Sequence, residues 1–165
     1  MKLIVAAFLL VTLGVSGTSI PQAGTFHLFK DEQERLEFLS VNDRPGRVLY
    51  SIGPLDLRSG TIVDIKFQAE LTNDLGYNVG IGRYVVRTHS SLATTGVRVI
   101  KAVMSNVTPS EHHEVLIHTG AEEIQENLSG VYYNVVILAL SSSVNGDLKV
   151  EKGHGELIVE VRDPR

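Results

Sequence analysis

The chain has 165 residues, no cysteine, no tryptophan and a formal net charge of −4. That length suits one domain of about 100–200 residues, and an acidic balance without a Lys/Arg cluster argues against a nucleic-acid partner. The lack of cysteine excludes disulfides, cysteine-based structural zinc and thiol redox chemistry, so packing and strand pairing must hold the fold alone.

Residues 1–19 read MKLIVAAFLLVTLGVSGTS. Lys2 supplies a positive start, Leu3 to Leu13 an apolar run, and Gly14, Ser16, Gly17 and Ser19 the small residues of a cleavable signal peptide. The run is shorter than the about 20 apolar residues of a spanning helix. Cleavage after Gly17 or Ser19 satisfies the small-residue rule. Removing residues 1–19, whose only charge is Lys2, leaves 146 residues at a net charge of −5. No second run long enough to span follows, which predicts a secreted, extracellular product with no membrane span after signal cleavage.

Residues 20–46 are expected as an N-terminal segment, with Pro21 and Gly24 opening a loop, and residues 47–165 as the folded domain. KDEQERLEFL (30–39) predicts one short helix. Asp31 can cap it, Glu34 completes a capping box, and acidic residues crowd the first turn, where the helix dipole favours them. The turn NDRPG (42–46) then resets the chain.

Everything after that reads as strand. In GTIVDIKFQAEL, Thr61, Val63, Ile65, Phe67, Ala69 and Leu71 fall on one face, while Asp64, Lys66, Gln68 and Glu70 fall on the other, with Ile62 the exception. Such alternation marks a half-buried antiparallel strand. GELIVEVR repeats it, with Leu157, Val159 and Val161 inward. VYYNVVILAL (131–140) is apolar on both parities except at Asn134, as in a central strand covered on both sides. RVLYSIG, IGRYVVRT and GVRVIKAV supply further strands. Asn145-Gly146 is a hairpin signal, and Lys152-Gly153-His154-Gly155 marks another tight turn. The fold class is all-β: an antiparallel β-sandwich or jelly-roll-like single domain with one short N-terminal helix. A closed barrel is the rival.

Residues 111–120, EHHEVLIHTG, concentrate three histidines and two glutamates. On a strand, Val115 and Ile117 point one way with His113, and His112, Glu114, Leu116 and His118 point the other. His112 and His118 would stand roughly 20 Å apart, too far to share an ion. His112 and Glu114 are the metal-ligand candidates, but two ligands make a weak site, with His27, His89 and His154 the remaining histidines. The expectation is no metal, no cofactor and a hydrophilic outer face with histidines at a strand entrance. Histidine also offers a proton switch between pH 5 and 8.

Catalytic motifs are missing. LSGVY lacks the first glycine of a nucleophile elbow. Glu122-Glu123 and the trio Glu32, Glu34 and Glu37 read as solvated charge runs. Gly76, Gly80 and Gly82 lack the spacing of a phosphate loop and read as a wide loop or bulge. No catalytic residue is assigned, and the protein is expected not to be an enzyme. Asn106-Val107-Thr108 and Asn127-Leu128-Ser129 fit the N-glycosylation sequon and fall in predicted loops, with Pro109 hindering the first.

SGVYYNVVILAL (129–140) resembles the penultimate core strand of C1q/TNF-like jelly rolls. It lies nearer the C-terminus than in that family, without the flanking motifs, and no site residue is carried across.

These features read as a secreted, N-glycosylated, non-catalytic protein that binds or assembles, such as an extracellular matrix, coat or skeletal-matrix component. Its partners would be extracellular proteins or glycans; homo-oligomerisation is left open, and the acidic surface would attract calcium weakly. One alternative is a lectin-like, carbohydrate-binding module stacking sugars on Tyr77, Tyr132 or Tyr133. Another is a secreted hydrolase with a site near His112, Glu114 and His118. A pore-forming role lacks an amphipathic membrane segment.

Overall fold

A computed structural model describes residues 23–30, 34–37, 46–73, 79–107, 114–139, 147–150 and 155–163. The strands are β1 (Gly24–Lys30), β2 (Glu34–Glu37), β3 (Arg47–Leu57), β4 (Ile62–Asn73), β5 (Val79–Thr88), β6 (Val97–Val107), β7 (Glu114–Glu123), β8 (Leu128–Ala139), β9 (Asp147–Val150) and β10 (Gly155–Arg162). All pairings are antiparallel.

β4 organises the first sheet. One side pairs with β7 over ten residues, from Ile62 opposite Glu123 to Leu71 opposite Glu114. The other side pairs with β10 and, further along, with β9. β1 lies against β10 and β2 against β9. Both β9 and β10 run antiparallel to β4, so they form two segments of one strand position, as do β1 and β2. The sheet is therefore four strands wide: β1/β2, β9/β10, β4, β7. The second sheet has the order β3-β8-β5-β6. The chain passes between the two sheets at nearly every connection, and among the described strands only β5 and β6 are consecutive and pair directly. Two four-stranded sheets wound in this way make a jelly roll.

The core fills the space between them. Val63, Ile65, Phe67 and Ala69 from β4 meet Leu157, Val159 and Val161 from β10 on one side. Val131, Tyr133, Val135 and Ile137 from β8 face them from the other, with Tyr50 and Phe67 rings 5.5 Å apart. The period-two patterns bury Thr61, Val63, Ile65, Phe67, Ala69, Leu157, Val159 and Val161 as the sequence predicts, while the Leu71 side chain lies outside the described residues, and β8 is central and covered on both sides, as expected. Gly120 permits the closure of one flank: a Cβ there would stand 2.6 Å from Ile100 Cγ1, so β7 could not approach β6 with a side chain.

Several expectations are corrected. Within the predicted helix at 30–39, Lys30 ends β1 and Glu34–Glu37 is β2, while residues 31–33 and 38–39 lie outside the described residues. A ten-residue helix is marginal alone, and here the β9 backbone supplies partners at Leu36 opposite Leu148. Gly24 opens a strand, not a loop. Asn145-Gly146 lies outside the described residues, and the strands on either side of it, β8 and β9, belong to different sheets and do not pair as a hairpin. Of the expected turn at 152–155, residues 152–154 lie outside the described residues and Gly155 begins β10. Gly80 and Gly82 lie within β5, paired with Asn106 and Met104, so they are not loop residues; Gly76 lies outside the described residues.

Candidate functional site

Register brings three connections to one end of the sandwich. Leu57 at the end of β3 stands opposite Leu128 at the start of β8, and Thr88 at the end of β5 stands opposite Tyr132. The β3–β4 turn (58–61), the β5–β6 loop (89–96) and the β7–β8 loop (124–127) therefore gather there.

The first and third are sewn together. Gly60 N donates to Ile124 O at 2.7 Å, and Ile124 N donates to Thr61 O at 2.8 Å. Ser59 N donates to Asn127 Oδ1 at 3.0 Å, and Ser59 Oγ to Gln125 O at 2.9 Å. Asp56 Oδ1 accepts from Ser129 Oγ at 2.6 Å and from Gly130 N at 2.9 Å. The Ile124 side chain is fully buried beneath these bonds.

Under the loops, a polar cluster crosses between the sheets. Glu122 shares the inward face of β7, opposite Val63 of β4. From the other sheet, Arg87 and Tyr133 face it as a cross-strand pair of β5 and β8. Tyr133 Oη donates to Glu122 Oε1 at 2.5 Å, and Arg87 Nη1 donates to Glu122 Oε2 at 2.9 Å. Burial, followed by the hydrogen bond to Glu122 and its charge, pushes the Tyr133 pKa well above the ordinary phenol value. Tyr133 is thus a protonated donor at any physiological pH, and both oxygens of the carboxylate are engaged.

The β5–β6 loop folds over the outer face of the second sheet. Fully buried Asn134 donates through Nδ2 to Ser90 O and Ala93 O, each at 2.8 Å, and accepts from Ser51 Oγ at 2.7 Å. Tyr84 Oη donates to Thr94 O at 2.9 Å, with the Arg98 guanidinium 4.7 Å from its ring centroid. Tyr84, Val86 and Val136 are buried on this outer face of the sheet.

The residues singled out from sequence are placed differently. His112 lies outside the described residues, and Glu114 begins β7, opposite Leu71. His118 keeps the expected alternation with Ile117 but corrects the expected outer face. It stands opposite Phe67 and faces inward, whereas Ile117 faces solvent at 59% exposure. Its Nε2 is buried without a hydrogen-bond partner, in a small cavity also lined by Phe67, Arg83 and Ile100. Burial and then the Arg83 charge hold the His118 pKa below the ordinary histidine value. Among the described residues, no group of three or more His, Cys, Asp or Glu is placed to hold a metal ion. Asn127 is exposed in a loop, as expected; Asn106 is in β6 opposite Gly80 and not in a loop. Tyr132 is half-buried opposite Thr88, and Tyr77 lies outside the described residues. Sequence reasoning did not assemble Arg87, Glu122 and Tyr133, which are 35 and 11 residues apart from Glu122 in the chain. The lone Asn134 in an apolar strand was the visible trace of the second network.

No family model matches the sequence, and no curated protein matches it. The fold is similar to that of Eiger TNF from S. frugiperda, at TM-score 0.50 and 9% identity, over 88% of this chain and 96% of that one. A structure of infectious bursal disease virus, Gx strain, matches at TM-score 0.46 and 12% identity, over 94% of this chain and 41% of the viral chain. A family two carbohydrate esterase from Cellvibrio japonicus matches at TM-score 0.29 and 12% identity, over 87% of this chain and 36% of the esterase. At such identities, what the chain shares with the first of these is the jelly-roll fold.

Proposed function

We propose that the protein is an exported, N-glycosylated jelly roll that acts by binding or assembly and not by catalysis, as an extracellular matrix, coat or skeletal-matrix component. The observation that supports this most is the state of Glu122. Tyr133 and Arg87 hold its two oxygens at 2.5 and 2.9 Å, so a carboxylate between the sheets serves as a strut joining them. A general acid or base needs an oxygen aimed at substrate, and this one spends both on its own fold. Asn127 supports the glycoprotein reading. Its Oδ1 is held by Ser59 N at an exposed loop position, which leaves Nδ2 as the atom for an N-glycan.

Expression of the full chain in a secretory eukaryotic cell tests the reading. Mass spectrometry of the medium should find a chain beginning after Gly17 or Ser19, with a glycan on Asn127 that Asn127→Gln removes. Retention in the cell, or an unmodified Asn127, overturns the exported-glycoprotein reading. Turnover of ester or glycoside substrates that Glu122→Gln abolishes overturns the non-catalytic one.

A further inference from the structure

We infer that the outer face of the β1–β10–β4–β7 sheet is a docking surface for a basic polypeptide, a protein partner presenting lysines or arginines. The inference rests on the binding reading above and names the surface and the partner chemistry.

The two outer faces of the sandwich are treated unequally by the chain. The β5–β6 loop covers part of the outer face of the β3–β8–β5–β6 sheet, through the bonds of Asn134 and Tyr84. No described segment covers the other outer face, where Phe29 and Ile117 stand 50% and 59% exposed. These two share one row of the sheet, through Glu156 and Gln68, and three strand spacings put them roughly 14 Å apart.

Charge gives this face its sign. Alternation and register place Asp64, Glu70, Glu123, Glu156 and Glu160 on it, against Lys66 and Arg162. With His27 neutral, five acids and two bases leave −3, most of the −4 that the whole chain carries. Both bases are already engaged. Arg162 pairs with Asp64, and Lys66 reaches Glu156 at 3.5 Å, where His27 also binds at 2.9 Å. Glu160 and Glu123 are exposed carboxylates with no ion pair among the described residues.

Shape adds a seat. Between β10, β4 and β7 lies an open depression of about 470 Å³. The β7 side chains that line it on this face, Thr119 and Ala121, are small, and its rim includes Ile158 and Glu160. An aliphatic stem ending in a cation fits such a place, the stem along Ile158 and Ala121 and the head at Glu160. A second copy of this chain does not fit, because it would set one −3 face against another and like charges suppress the pairing.

The test uses the full secreted chain and a labelled peptide of Lys-Ala-Lys repeats, with Kd read by fluorescence anisotropy. Glu160→Lys on the face and Glu126→Lys on the β7–β8 loop change the net charge equally. The proposal expects Glu160→Lys to weaken binding by about 10-fold or more and Glu126→Lys by less than about 2-fold. Ala121→Lys, which fills the depression, should weaken it comparably to Glu160→Lys. All three positions are exposed, and melting curves report whether each variant folds. Carbodiimide cross-linking of the peptide to the wild-type chain needs no variant and should map to Glu160 and Glu123. Equal weakening by Glu160→Lys and Glu126→Lys overturns the proposal, as do cross-links confined to other carboxylates. A wild-type oligomer that Ala121→Lys dissociates also overturns it, by showing a second copy to be the occupant. None of these outcomes alters the export and Asn127 results, so failure of the docking face and failure of the broader reading are told apart.

Discussion

His118 sits on β7 with Phe67 beside it and Arg83 facing it from the opposite sheet. Tyr84 and Val85 of β5, Ile100 of β6 and Val135 of β8 also line its cavity, and Glu122, four residues along its own strand, is held by Arg87 and Tyr133. Protonation would add a cation beside Arg83 with no acceptor for the buried Nε2. The folded pKa is lowered, whereas an unfolded histidine titrates near 6.5. Below that value the unfolded chain binds a proton that the fold resists, so stability falls as pH drops through about 6.5 and levels off below the folded pKa. Thermal melts should show Tm dropping between neutral pH and about pH 5.5, by a few °C, and the slope should flatten in His118→Gln. Equal slopes in the two proteins would assign the acid sensitivity to other groups. Residue identity alone did not reveal this role: EHHEVLIHTG reads as a polar face, and only the pairing of His118 with Phe67 turns the imidazole inward.

At the scale of elements, the β5–β6 loop shows how a strand can hold a loop. Asn134 spends both its amide hydrogens and its oxygen on Ser90, Ala93 and Ser51. Asn134→Ala removes three hydrogen bonds at a fully buried site and should cost about 1–3 kcal/mol. Hydrogen exchange should accelerate in residues 89–96 while β4 and β10 keep their protection; uniform acceleration would mean that the asparagine supports the whole sandwich and not the loop. How much of this was legible depended on where each element finds its partners. β4 and β10 each bury one face, so their alternation is written in adjacent residues such as Val63, Asp64 and Ile65. β2 was hidden because its capping box is a genuine local helix signal, outweighed by backbone pairing with β9, more than a hundred residues away. The hairpin expected from Asn145-Gly146 is absent from the pairing of the described strands β8 and β9 for a related reason. Local turn chemistry does not say whether the next strand joins the same sheet or crosses to the other. The stapled loop end was illegible too, since Ser59, Ile124 and Asn127 meet only once β7 has paired with β4, some sixty residues away in the chain.

For the molecule as a whole, the jelly-roll winding makes almost every strand pair non-local. β1 waits for β10, β3 for β8, and β4 for both β7 and β10, while among the described strands β5 and β6 alone can pair as soon as they are made. Closing long loops before their contacts form is entropically costly, so such topologies fold in milliseconds to seconds. With no cysteine to tie the ends, the transition state has to be assembled from packing alone, and the β5–β6 hairpin with β8 laid against it is the smallest unit that pairs centrally. Val86 and Val159 are both fully buried valines, one in that unit and one in β10, which must await the end of the chain. Stopped-flow chevrons should therefore separate them. Val86→Ala should slow folding with little change in unfolding, whereas Val159→Ala should chiefly speed unfolding, because its contacts form after the barrier. If Val159→Ala slows folding as much as Val86→Ala does, the two sheets close together in one step, and the hairpin has no precedence over the chain ends.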